Sequence, residues 1–80
     1  MVNIQLSFDP SFKKKIQKDE KEFTVKLNKN ESLREVIKRF ISEKELGHIG
    51  LIIVNKKFQN LDYIVQDGDK INVLPLLFGG

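Results

Sequence analysis

Eighty residues, 40% of them apolar and 31% charged, suffice for one small domain, and the absence of cysteine excludes disulfide staples, thiolate metal ligation and thiol catalysis. Stability must therefore come from packing. The net charge of +3 and the pI near 9.3 come almost wholly from lysine, with Arg34 and Arg39 as the guanidinium donors. Acids are mixed in throughout, and the densest basic cluster, Lys13-Lys14-Lys15 with Lys18, runs straight into Asp19 and Glu20. This reads as a solvated face and not as a nucleic-acid stripe, which would interleave arginines or aromatics. No apolar run is long enough to span a bilayer, and no amino-terminal apolar stretch carries a cleavage site. The cytoplasm is the expected compartment, with neither nucleic acid nor membrane as a partner.

Val2, Ile4, Leu6 and Phe8 alternate with Asn3, Gln5 and Ser7, the period-two pattern of a strand with one buried face. Asp9-Pro10 then suits the start of a short helical turn, with Asp9 as N-cap and Phe12 and Ile16 turned inward. After a polar connection at 18–21, Phe23, Val25 and Leu27 alternate with Thr24 and Lys26, giving a second strand antiparallel to the first. Asn28-Lys29-Asn30 is a turn. Ser32 with Glu35 three residues on makes a capping box, so a helix starts at Leu33. Leu33, Val36, Ile37, Phe40 and Ile41 form its buried stripe, Arg34, Lys38, Arg39, Ser42 and Glu43 face water, and Gly47 supplies a left-handed stop after Leu46.

The short, β-branched run Ile49–Val54 reads as a central strand, followed by a turn at 55–57 and a short strand around Phe58. Leu61, Ile64 and Val65 suit an irregular, partly helical crossover lying over the edge of the core. Asp67-Gly68 is a tight turn needing a positive φ, and Ile71 and Val73 carry the last strand, with Leu74 pointing opposite to Val73. One amphipathic helix and one half-apolar sheet bury each other most economically as two layers, so we expect the helix packed diagonally on a single mixed sheet, with the first and last strands parallel neighbours.

The chain given stops at Gly79-Gly80, behind Leu74-Pro75-Leu76-Leu77-Phe78. Two glycines form a thin arm that can enter a narrow cleft, and glycine leaves an acyl carbon open to attack. Pro75 cannot donate to a sheet ladder, so it helps end the strand and release residues 76–80. Leu76, Leu77 and Phe78 are costly to leave in water unless a partner covers them or some of them fold back on the domain. Both readings stay open.

Element order and ending together resemble a ubiquitin-like β-grasp domain, and more narrowly the ThiS/MoaD family of sulfur carriers. The residues that carry the resemblance are Val54-Asn55, Asp67-Gly68-Asp69 with Ile71, Pro75 and Gly79-Gly80. The resemblance implies an α+β ββαββ fold, with a mixed sheet and one long helix on one face, over residues 1–80 as a single domain with a flexible tail from about residue 76. It also implies a carrier and not an enzyme. A ubiquitin-activating-type adenylyltransferase would use ATP to convert the Gly80 carboxylate to an acyl-adenylate, and a sulfur donor would then give a thiocarboxylate. A synthase partner would receive the sulfur for molybdopterin or thiamin synthesis, or for another sulfur-bearing product. Leu74, Pro75, Leu76, Leu77 and Phe78 would contact the partners, beside Gly79 and the sulfur-carrying Gly80. No cofactor is bound in this reading, and the free protein would be a monomer. Leu76-Leu77-Phe78 departs from the molybdopterin-type tail, although length and the position of Pro75 favour that type over the thiamin type.

Other chemistry finds little support. His48 is the single histidine, beside Glu43 and Glu45 at a charged helix end, and is expected in a surface loop. Asp67 and Asp69 lack the spacing and terminal glutamate of a calcium loop and read as turn formers. Ser7, Ser11, Ser32 and Ser42 lack a nucleophile setting, and no phosphate-cradling glycine loop occurs. No metal site is expected. Two further hypotheses stand beside the sulfur carrier: a ubiquitin-like modifier conjugated through Gly80, and a non-covalent β-grasp interaction domain.

Overall fold

The computed structural model describes residues 1–12 and 22–76. Their elements are β1 (Val2–Phe8), a 3₁₀ turn (Pro10–Phe12), β2 (Glu22–Leu27), α1 (Leu33–Ile37), a second 3₁₀ turn (Glu43–His48), β3 (Ile49–Val54), β4 (Lys57–Gln59) and β5 (Lys70–Pro75). The sheet runs β2-β1-β5-β3-β4. As expected, β1 and β5 are parallel neighbours in its centre, and the remaining pairs are antiparallel.

Register keeps every buried side chain on one face. Leu6 pairs with both Phe23 and Ile71, Val73 with both Phe8 and Ile52, and Val54 with Ile71. All of these are buried, together with Leu33, Val36, Ile37 and Ile41 from the helical layer. Because the side-chain period in a strand is two, a slip of one residue would turn this whole set to water, which is what fixes the pairing.

At its start α1 behaves as the sequence requires. Glu35 N–H donates to the Ser32 hydroxyl at 3.2 Å, the hydroxyl arm of the expected capping box. Two further amide groups of the first turn bond outside the helix: Leu33 N–H donates to the Tyr63 carbonyl at 2.8 Å and Arg34 N–H to that of Leu61 at 3.1 Å. The crossover is thus irregular and tied to the helix start, and it forms no helix, because these bonds and the Ser32–Ile64 bridge commit its backbone to that neighbour. Val65 is buried, and Ile64, expected to cover the core, instead faces out.

The expected long helix is not found. After Ile37 the Arg39 and Phe40 amides bond three residues back, to the Val36 and Ile37 carbonyls, and Ser42 takes an extended backbone with φ −72° and ψ 159°. Val36, Ile37 and Ile41 are β-branched, and serine favours helix ends over interiors, so local propensity offers little against this break. Tertiary packing holds the tightened turn in place. Phe40 lies with its ring centroid 4.7 Å from that of Phe23 and 5.9 Å from that of Phe8, which also meets Phe12 edge-on. Gly47 is therefore no left-handed stop. It lies inside the second 3₁₀ turn, and among the described residues Gly68 is the glycine with positive φ, at 88°.

Ser11 N–H donates to the Asp9 carboxylate at 3.0 Å, so Asp9 caps the first turn as expected. Ile16 and the lysine cluster from Lys13 lie outside the described residues. No described helix is long and apolar enough to cross a membrane.

Candidate functional site: the exit of strand β5

Central strand β5 delivers the chain to the sheet edge at Pro75 and Leu76. Lys70, Ile71, Asn72 and Val73 pair with β1, and Pro75 lies past the end of that pairing, where its missing N–H leaves no gap in the β1 ladder. On the other side β5 continues further along β3. Leu74 pairs with Leu51 and Pro75 with Ile49, with a bulge at Gly50 between them. Leu76 N–H then donates to the His48 carbonyl at 2.7 Å. Strand pairing holds the chain to Pro75, and one further hydrogen bond holds Leu76.

Gly50 makes this exit sterically feasible. A Cβ built there would lie 2.6 Å from the Pro75 carbonyl oxygen and 2.8 Å from Leu76 Cα, closer than side-chain carbons approach backbone. A glycine inside an otherwise apolar strand run signals such a close approach, and this signal was available in the sequence. Only its partner was not. His48 contributes through its carbonyl, while its exposed ring lies 3.6 Å from Glu45 across the 3₁₀ turn.

Beside the exit, the outer face of the sheet is apolar. Leu51 and Leu74 face each other across β3 and β5, and Ile53 stands between Asn72 on β5 and Phe58 on β4. Phe58 is 72% exposed, Leu51 49% and Leu76 44%, whereas Leu74 and Pro75 are half-buried. Leu74 thus does point away from the core. Leu51, Ile53 and Phe58 were not among the expected site residues. The nearly continuous apolar run Ile49–Val54 has no alternation that marks an inner face, and only the helical layer on one side shows which of its side chains are left outside. Leu77, Phe78, Gly79 and Gly80 lie outside the described residues.

The opposite end of β5 is locked by a buried carboxylate. Asp69, expected as a simple turn former, is 4% exposed. Its oxygens accept from Asn55 Nδ2 at 2.7 Å, from the Tyr63 hydroxyl at 2.8 Å and from Gln66 N–H at 2.8 Å. Burial, then the hydrogen bond and negative charge of Asp69, push the Tyr63 phenol above its ordinary range. Asn55 also accepts from Lys70 N–H at 2.9 Å, so the β3–β4 hairpin, the crossover and β5 are joined in one network. Asp67 secures the same end by accepting from Asn3 N–H at 2.8 Å. Among the described residues no group of three potential metal ligands occurs.

Three solved structures share this fold. A Pyrococcus furiosus structure assigned as molybdopterin converting factor subunit 1 is 22% identical over 96% of this chain and 100% of its own, with a TM-score of 0.69. Urm1 from Trypanosoma brucei is 17% identical over 98% of this chain and 95% of its own, with a TM-score of 0.65. In a Helicobacter pylori complex of subunits 1 and 2 of molybdopterin-converting factor, the matched chain is 26% identical over 99% of this chain and 100% of its own, with a TM-score of 0.62. No curated protein sequence matches significantly. The family profile described as the ThiS family matches residues 12–80, which hold the helical layer and every described strand except β1. The chain belongs to the ThiS family of ubiquitin-like sulfur carriers, small carrier subunits and not catalysts.

Proposed function

We propose that the chain carries sulfur on the carboxyl group of Gly80. In the first step this carboxylate displaces pyrophosphate from ATP on a ubiquitin-activating-type adenylyltransferase, giving an acyl-adenylate. Hydrosulfide supplied by a sulfur donor then attacks the acyl carbon, the bond to AMP breaks and AMP leaves, and loss of the sulfur's proton leaves a thiocarboxylate. A synthase partner takes the sulfur in cofactor biosynthesis, of the molybdopterin type in preference to the thiamin type. The folded body binds no cofactor, acts in the cytoplasm as a monomer and serves as the handle by which partners hold the tail, through Leu74, Pro75, Leu76, Leu77 and Phe78.

The observation that carries this reading is the exit of β5. A central strand, fixed by pairing on both sides, presents Pro75 and Leu76 at the rim of an exposed apolar face, four residues before Gly80. A rigid base under a short arm is what a partner needs to place one terminal atom accurately. The H. pylori protein assembled with a second converting-factor subunit favours a synthase partner for this chain as well.

The test is intact-mass analysis after incubation with the adenylating enzyme of the source organism, ATP and a sulfur donor. One oxygen should be exchanged for sulfur, and a chain extended by one residue after Gly80 should show no exchange. An unchanged mass with a partner proven active on another carrier, or a natural polypeptide that runs untrimmed past Gly80, overturns the proposal. Isopeptide-linked Gly-Gly remnants on other proteins would instead identify a modifier, and full activity of the extended chain a non-covalent binding domain.

A further inference from the structure

At the hairpin end of the outer face, Asn55, Lys56, Lys70 and Asn72 line a shallow depression of about 350 Å³. Its base is rigid. Asn55 and Lys56 form a two-residue turn with φ of 50° and 72°, and Asn55 is bonded to both Asp69 and Lys70. Lys70 rises from the first residue of β5 and pairs with Gln5 of β1.

The local charge is one-sided. Among the described residues, the ion pairs involve Arg34, Arg39 and His48, and neither lysine. The nearby acids are committed elsewhere: Asp69 is buried with its oxygens on Asn55, Tyr63 and Gln66, and Asp67 accepts from Asn3. Glu22 stands two strands away, opposite Ser7. Two exposed lysines line one depression with no acid among the described residues paired to either, so an anionic group is the complement it lacks. One row further along the same face, beside Asn72, begins the apolar patch of Ile53 and Phe58, with Leu51 beyond it. A free phosphate or a nucleic-acid backbone would leave those side chains wet, whereas a protein surface covers both parts at once.

We propose that this depression seats a carboxylate side chain of the partner protein, next to an apolar side chain of the same partner that covers Phe58 and Leu51. The inference rests on the reading that this face meets a partner, and it names that partner's chemistry: an apolar contact with an aspartate or glutamate on its rim. Lys56 and Lys70 choose and orient the partner, and the apolar patch holds it.

Calorimetric titration of the full chain against the adenylating enzyme and against the synthase subunit of the source organism, at low and at physiological salt, tests this. For at least one of the two partners, Lys56→Glu with Lys70→Glu should raise Kd about tenfold or more and remove most of the salt dependence. Phe58→Ser should raise Kd while leaving the salt dependence in place. Thermal melts establish that each variant is folded, and Lys56→Gln with Lys70→Gln repeats the test without adding acid. Kd within twofold of the parent for both lysine double variants, against both partners, overturns the proposal. Binding needs neither ATP nor sulfur. Docking lost in the lysine variants therefore upholds this surface even if Gly80 never gains sulfur, and sulfur gained with docking unchanged sinks this surface alone.

Discussion

Gly50 and Pro75 approach so closely that one added carbon at Gly50 would stand 2.6 Å from the Pro75 carbonyl oxygen. Both obstructing groups are backbone, and the Leu76 amide beside them is already bonded to the His48 carbonyl. The contact cannot relax by a side chain swinging away, so any residue larger than glycine must push β3 and the end of β5 apart.

Gly50→Ala should accordingly destabilise the domain by about 1–3 kcal/mol, the usual range for forced overpacking. It should also slow sulfur loading at Gly80 more than an equally destabilising core change does. Urea unfolding and loading kinetics, compared with a matched core variant, check this. Unchanged stability would mean that the exit is not held by this contact.

Lys56 holds a left-handed backbone with φ 72° that glycine adopts without steric cost. Lys56→Gly should therefore stabilise by about 1 kcal/mol, seen as a higher denaturation midpoint. Asn55→Gly, with the same backbone relief at φ 50°, should lose stability, because it also removes the bonds to Asp69 and Lys70. Equal responses at the two positions would deny the network its role.

Tyr63 gives the lock at Asp69 a pH signature. A phenol whose value is raised in the folded chain binds its proton more tightly there than in the unfolded chain. Its contribution is then whole below the ordinary value of 10.0 and is lost as pH rises through the folded value. Stability should fall above about pH 10, and Tyr63→Phe should flatten that part of the curve while costing about 1 kcal/mol at neutral pH. Asp69→Ala should cost more, about 1–3 kcal/mol, by leaving buried donors unpaired. Melting curves across the alkaline range decide both.

Leu6 and Phe58 separate core from interface. Leu6→Ala, at a fully buried position between Phe23 and Ile71, should cost about 2–5 kcal/mol. Phe58→Ala, at a side chain 72% exposed, should change stability by no more than about 0.5 kcal/mol while weakening partner binding. A destabilised Phe58→Ala would assign the ring to the fold instead.

What the sequence determined by itself is whatever repeats locally. Alternation in β1 and β2 fixed their inward faces, the Ser32 cap fixed where α1 starts, and Asp67-Gly68 fixed the turn into β5, because each depends on neighbours within a few residues. The parallel pairing of β1 with β5 was also legible, since the economy of one helix on one sheet leaves few arrangements. Tertiary structure decided the rest. Helix α1 ends after Ile37 because Phe40 settles on Phe8 and Phe23, rings brought from two other strands. Asp69 is a buried acceptor because Asn55 and Tyr63 arrive from distant segments. Leu51, Ile53 and Phe58 become a surface because the helical layer covers the opposite face. These outcomes depend on atoms close in space and remote in the chain, so no local pattern of residues could carry them.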